Sequence, residues 1–192
     1  GTIECWGWNY SGQLGNGAVG YVTSAVILQS TSTSGVAANA RSGKSVVARN
    51  NARIGFSSDA GNLDNDPNST RDVFTRDPAS GVTTRISAAI AAVNGGAVED
   101  FDNPAISDNG ERIAFTGSSG QIYAVLAGQG LIVSSAASGA IGNAPSANVQ
   151  LAGPGNLAIF DSQATNLLSG VDGNGSTSDI FVKDLITGDV RL

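Results

Sequence analysis

The stretch Arg53–Asp77, RIGFSSDAGNLDNDPNSTRDVFTRD, decides how this chain is read, because a close copy returns at Leu157–Asp184 as LAIFDSQATNLLSGVDGNGSTSDIFVKD. Each copy holds a phenylalanine (Phe56, Phe160), an Asn-Leu pair six residues later, a loop of Asp, Asn, Gly and Ser, and then Asp-(Val/Ile)-Phe-x-(Arg/Lys)-Asp. A duplication of this length marks a supersecondary unit that recurs along the chain.

Around the two phenylalanines lie hairpins. Lys44–Ser57 gives two arms of alternating apolar residues joined by a turn at Asn50-Asn51, the pattern of paired half-buried strands. The same pattern recurs at Pro104–Thr116 about Asp108-Asn109-Gly110, and at Ser146–Asp161 about Gly153-Pro154-Gly155. Phe56, Phe115 and Phe160 align at spacings of 59 and 45 residues. A third strand is expected at Phe74, Tyr123 and Phe181. A fourth is expected at Thr83–Ser87, Leu131–Ser135 and Asp189–Leu192. Four short antiparallel strands at a period near 45 residues predict an all-β, β-propeller-like array of blades, either a small closed propeller or an open arc.

Composition agrees with this architecture. Hydrophobic residues make up 41% of the 192 residues, charged residues 14%, and there are 26 glycines, the balance of a folded chain of brief strands and tight turns. The net charge of −6 argues against a nucleic-acid or anionic-membrane partner, both of which need clustered Lys and Arg. A single cysteine, Cys5, rules out an internal disulfide, and the absence of histidine rules out His-based metal sites and Ser-His-Asp chemistry. No apolar run approaches the roughly 20 residues of a membrane helix, so no membrane insertion is expected. We read 1–192 as one propeller-like domain: an N-terminal unit and loop at 1–43, then blade-like repeats at 44–88, 104–136 and 146–192. The chain starts on a strand and stops inside one, which suggests a piece excised from a longer protein.

Two resemblances sharpen this. Ser-Asp-Asn-Gly-Glu-Arg-Ile-Ala-Phe at 107–115, Asn-Leu ahead of an acidic loop, and Ser-Asp-Ile-Phe-Val-Lys-Asp at 178–184 followed by Thr187-Gly188 resemble the TolB-like β-propeller repeat over residues 44–192. Cys5-Trp6-Gly7, Asn9 and Gly12-Gln13-Leu14-Gly15 resemble a regulator of chromosome condensation-type repeat, which occurs here once. Both imply propeller blades. TolB-like propellers commonly close with six or seven blades and also cap some peptidases. The middle unit departs from the pattern: only seven residues separate Phe115 from Tyr123, against seventeen between Phe56 and Phe74.

The acidic loops are the first candidate site. Asp64, Asp66, Asn68, Thr70 and Asp72 place oxygens at alternate positions that could converge on one hard cation, and Asp172, Asn174, Ser176 and Asp179 offer a second set. Calcium asks for six to eight such oxygens. These loops lack the turn Gly and terminal Glu of a calcium hand, and the same residue types also form metal-free turns. Trp6, Trp8 and Tyr10 are a second candidate, an aromatic platform for a sugar or peptide, against a role in sheet packing. Glu99 and Asp102 read as a solvated acidic connector rather than a paired-carboxylate site. The expected function is a non-enzymatic extracellular or envelope (periplasmic) module that binds a protein partner, or itself, through loops and sheet edges. A lectin-like or peptide-binding propeller, and the non-catalytic propeller of a larger hydrolase, are the alternatives.

Overall fold

The structure is a computed structural model that describes residues 27–64, 66, 68, 70–170 and 175–192, and the backbone of a short strand pair nearer the N-terminus. In that pair, β1 (Trp8–Asn9) runs antiparallel to β2 (Gly20–Tyr21). Three four-stranded antiparallel sheets follow in simple up-and-down order. The first blade is β3 (Ser42–Val47), β4 (Ile54–Ser58), β5 (Asp72–Arg76) and β6 (Thr83–Arg85). The second is β7 (Phe101–Ile106), β8 (Arg112–Gly117), β9 (Ile122–Leu126) and β10 (Gln129–Ile132). The third is β11 (Ser146–Ala152), β12 (Leu157–Ser162), β13 (Asp179–Asp184) and β14 (Val190–Arg191). None of the three sheets closes on itself.

Alternation along each strand gives every blade an aromatic face and a back face. On the aromatic faces Phe56 pairs with Phe74, Phe115 with Tyr123, and Phe160 with Phe181. The first and third pairs stack at 5.8 Å between ring centres, and in the second blade Phe101 adds edge-on contacts at 5.3 and 5.7 Å. The aromatic face of the second blade, Ile113, Phe115, Tyr123 and Val125, packs on Val73 of the first blade. That of the third, Ala158, Phe160 and Phe181, packs on Ala114, Ile122, Ala124 and Val133 of the second. Each aromatic face therefore covers the back of the preceding blade. A fully buried phenylalanine contributes about 1.5–3 kcal/mol of burial energy, so these two seams are the main core.

The duplicated stretch explains itself at this level. Ser58 Oγ caps the Ala60 N–H at 3.1 Å and Ser162 Oγ caps Ala164 at 3.0 Å, turning the chain so that Leu63 and Leu167 enter the core. Asn62 then accepts from Asn39 N–H (3.0 Å) and donates to Ala37 C=O (2.8 Å). Asn166 does the same to Asn143 (2.9 Å) and Ile141 (2.9 Å). The Asn-Leu pair is thus a staple and a core residue in both blades. The basic residue of the motif is a second tie. Arg76 Nη1 donates to Thr31 C=O at 3.2 Å, and the buried Lys183 Nζ donates to Ser135 C=O at 2.6 Å and Ser135 Oγ at 2.7 Å, binding each third strand to the segment that precedes its blade. The Ser/Thr-rich stretch before the first blade is a pinned loop over residues 27–41, bridged at Thr31 and Ala37 as the later loop is bridged at Ser135 and Ile141.

The first strands lie side by side, β3 against β7 and β7 against β11, and their hairpin turns are laced together. Asn50 N–H donates to Asp108 C=O (3.1 Å), and Asp108 N–H donates to Gly153 C=O (2.8 Å). Gly155 closes this lacing at φ +82°, where an added Cβ would stand 2.9 Å from Ser107 Cβ. Gly155→Ala is expected to cost about 2 kcal/mol or more, from the left-handed backbone and the clash together. Gly153→Ala, at φ +53° with open space, should cost only the backbone part, about 1 kcal/mol. Urea unfolding of the two variants separates these contributions.

Three boundaries differ from the sequence reading. The fourth strands are shorter than expected or start earlier, at Thr83–Arg85, Gln129–Ile132 and Val190–Arg191. The strand expected to begin at Pro104 begins at Phe101, with Pro104 inside it; β7 is an edge strand with a bulge at this point, where proline's missing donor costs no ladder bond. The connector after the first blade holds a six-residue 3-10 helix, Ser87–Ala92, whose Ile90 is fully buried.

Candidate functional site

The first acidic loop gathers its carboxylates around an internal cation. Asp64 Oδ2 accepts the Arg85 backbone N–H (2.8 Å), Asp66 Oδ1 accepts Arg85 Nη1 (2.6 Å), and Asp72 Oδ2 lies 3.4 Å from the same nitrogen. Asp72 Oδ1 takes the Ser87 hydroxyl at 2.5 Å. Asn68 Oδ1 accepts both Thr70 N–H (2.9 Å) and Thr70 Oγ1–H (2.6 Å). Asp64, Asp66 and Asp72 of the five candidates meet at Arg85, a residue not singled out in sequence, while Thr70 bonds to Asn68. The signal was its place on the fourth strand: Arg85 is the cross-strand partner of Phe74, two residues from Asp72. Burial raises the Asp72 pKa above the ordinary carboxylate value, against the Ser87 hydrogen bond and the Arg85 charge, with the Asp66 charge adding to the rise. Asp66 Oδ2 is buried without a hydrogen-bond partner. Among the described residues, no three His, Cys, Asp or Glu are grouped to hold a metal.

In the second loop Asp172 and Asn174 lie outside the described residues, Ser176 is exposed, and Asp179 opens β13 half-buried. Trp6 and Tyr10 also lie outside them, as does the run resembling the chromosome-condensation-regulator repeat except for Trp8 and Asn9, whose backbones form β1. The middle blade keeps the anchor without the acid: Gln121 Oε1 accepts the Ser134 hydroxyl (2.7 Å), as Asp72 accepts that of Ser87.

Glu99, read as solvated, is a structural acceptor. It takes the Tyr123 hydroxyl at 2.8 Å and the Ser119 N–H at 2.9 Å, tying the connector to the second blade. Burial alone would raise its pKa; hydrogen bonds from Ser119, Tyr123 and Asn94 outweigh that and hold it below the usual glutamate value. Burial and this acceptor push the Tyr123 hydroxyl up to about 12. A carboxyl with a lowered folded pKa contributes stability above its ordinary pKa and loses it as pH falls through the folded value. Glu99→Gln should therefore cost about 1 kcal/mol at neutral pH, the charge-assisted bonds being partly screened by solvent. The unfolding curves of variant and parent should converge below the ordinary carboxylate range.

A second site, unforeseen from sequence, lies where the first strands meet. β3, β7 and β11 each carry a bulge at the same place: two residues (Lys44-Ser45, Asn103-Pro104, Asn148-Val149) stand opposite one, Phe56, Phe115 or Phe160. In all three the first bulge residue is left-handed although it is not glycine, with φ of 47°, 52° and 54° for Lys44, Asn103 and Asn148. The three bulges line one open cavity of about 310 Å³. Each first strand is a sheet edge, and the cavity is lined by Lys44, Ser45 and Val46 of the first, Asn103 and Pro104 of the second, and Asn148, Val149 and Gln150 of the third. Bulges re-aim side chains and end regular pairing, and they cluster beside functional sites. Strain of this kind persists where the surrounding structure imposes it. Lys44→Gly is expected to raise stability by about 0.5–1 kcal/mol, because a left-handed lysine is strained and glycine is not; chemical denaturation measures it.

The bladed sheets, stacked face to face with their first strands along a common line, define a propeller-type domain, here with three blades among the described residues. No protein-family model and no curated protein matches the chain. Solved structures do. They include a protein assigned as TolB from Agrobacterium tumefaciens (16% identity, TM-score 0.43, covering 76% of this chain and 46% of that one). The tricorn protease is another (15%, 0.48, 78% and 14%). A third is the acylaminoacyl peptidase of Pyrococcus horikoshii (14%, 0.42, 73% and 23%). The chain spans less than half the length of each.

Proposed function

We propose that this chain is a TolB-like propeller module that acts without catalysis, in an extracellular or periplasmic setting, by binding a protein segment along its axial cleft. The observation that carries this is the triple bulge. Three strained edges, each held at the same angle, converge on one cavity with Lys44, Asn103 and Asn148 at its wall. Edge backbone binds extended peptide by strand addition, while side chains beside it set specificity. Among the described residues Lys44 is the only charged one in the lining, which favours a neutral or acidic segment. No helix among the described residues is long and apolar enough to cross a membrane. A photo-crosslinking residue placed at Gln150 or Ser45 in producing cells should form one discrete protein adduct that is absent with the crosslinker at exposed Val98. No adduct, or the same adduct at Val98, would refute the cleft as the binding face.

A second reading concerns calcium at Asp64, Asp66, Asn68, Thr70 and Asp72, favoured by the orphaned, buried Asp66 Oδ2. Binding to the folded state raises stability by mass action. A higher melting temperature in saturating calcium, lost in Asp66→Asn, supports it; no shift removes it.

A further inference from the structure

The seam between the first two blades is left open beside the β7–β8 and β9–β10 turns. A cavity of about 540 Å³ lies there, with Arg53, Thr75 and Ile86 on the first blade's side and Glu111, Ile113 and Val125 on the second's. The second seam closes at the same positions. Thr75 and Ala124 are equivalent through their partners Gly55 and Ala114, one pair beyond the aromatic pair. Ile86 and Val133 are equivalent because each donates its N–H to the matching third-strand carbonyl, of Val73 or Ile122. Ala124 and Val133 are fully buried in one apolar core, whereas Ile86 is half-buried at the cavity and the buried Thr75 Oγ1 has no hydrogen-bond partner.

The arginines differ in the same way. Arg53 and Arg112 each stand three residues ahead of their blade's phenylalanine, and Arg112 donates to Asn156 across the second seam. Glu111 takes the place of Asn156 in the first seam, but it accepts from Asn109 instead (2.8 Å). The Arg53 side chain has no hydrogen-bond or ion-pair partner among the described residues, although Asp77 feels its charge.

We propose that this cavity binds a small monocarboxylate with an apolar body, its carboxylate taken by Arg53 and Thr75 and its body lying against Ile86, Ile113 and Val125. Two donors without acceptors specify a ligand that accepts, and a guanidinium matches a carboxylate in charge and in shape. Aliphatic walls with a few polar groups are the usual lining of a small-molecule site, and the volume lies in the usual range. Glu111 at the rim disfavours a doubly charged group such as phosphate. The cavity is separate from the axial cleft, so either can fail alone.

Calorimetric titration of the chain with octanoate, octylamine and 1-octanol tests this. Octanoate should bind saturably at one per chain, about tenfold or more tighter than the amine or the alcohol, as a charge-assisted bond implies. Arg53→Gln, a change at an exposed residue that should leave the fold intact, should weaken octanoate about tenfold or more and leave 1-octanol unchanged. Thr75→Val, which keeps the side-chain shape, should weaken octanoate severalfold without lowering the melting temperature, since it removes a buried hydroxyl that has no partner. No saturable octanoate binding would overturn the proposal. So would octylamine binding as tightly as octanoate, or octanoate binding that Arg53→Gln does not alter.

Discussion

Arg85→Ala is expected to destabilise the protein by about 3–5 kcal/mol, the cost of leaving buried carboxylates without their cation. The Asp66 and Asp72 side chains are 1% and 3% exposed, and both face the Arg85 guanidinium, which is itself only 15% exposed. Their repulsion is already visible in Asp72, whose pKa burial raises and the Asp66 charge raises further. A carboxyl with a raised folded pKa works in the opposite sense to Glu99. The stability associated with Asp72 is greatest below its ordinary value of 3.8 and declines as pH rises through the folded value. Removing Arg85 should steepen that decline. The Arg85→Ala variant should thus lose more stability at pH 7 than at pH 4, and Asp66→Asn in that background should restore part of the loss, as expected for groups that share one network. Equal additive costs for the two substitutions would show that the three groups do not form a unit. The measurement is urea denaturation of the single and double variants at the two pH values.

Architecture was more legible from this sequence than chemistry was, and particular residues show why. The phenylalanines at 56, 115 and 160, the Asn-Leu pairs and the Asp-x-Phe-x-(Arg/Lys)-Asp runs mark blades because burial and backbone satisfaction leave few residue types free at those positions. Asp77 and Asp184, which end the duplicated stretches, each cap backbone N–H groups two and three residues ahead, a turn role that aspartate commonly fills. The acidic loop could be recognised as a group that turns inward. What it turns toward could not, because Arg85 lies across the sheet, where only strand register reveals it. The bulges were hidden for a related reason. Left-handed Lys44, Asn103 and Asn148 have different side chains, and the strain is in the backbone, so no residue pattern announces it. Glu99 was misread because a carboxylate in a polar connector resembles a solvated one until Tyr123 is seen to reach it. Pro104 reads as the start of a strand and lies inside one, since an edge strand with a bulge tolerates proline.

The described residues form a series of equivalent blades, each burying the back of the one before, and Ile180 on the back of the third is exposed. Ile122 and Ile180 hold one structural position in successive blades and differ in exposure, at 0% and 60%. Thermal and urea unfolding of Ile122→Ala and Ile180→Ala, measured side by side on the same chain, tests this directly. Ile122→Ala should cost about 2–5 kcal/mol through lost burial and the cavity left behind, and Ile180→Ala should stay within about 0.5 kcal/mol of the parent. Equal losses at the two positions would contradict the stacked-blade arrangement.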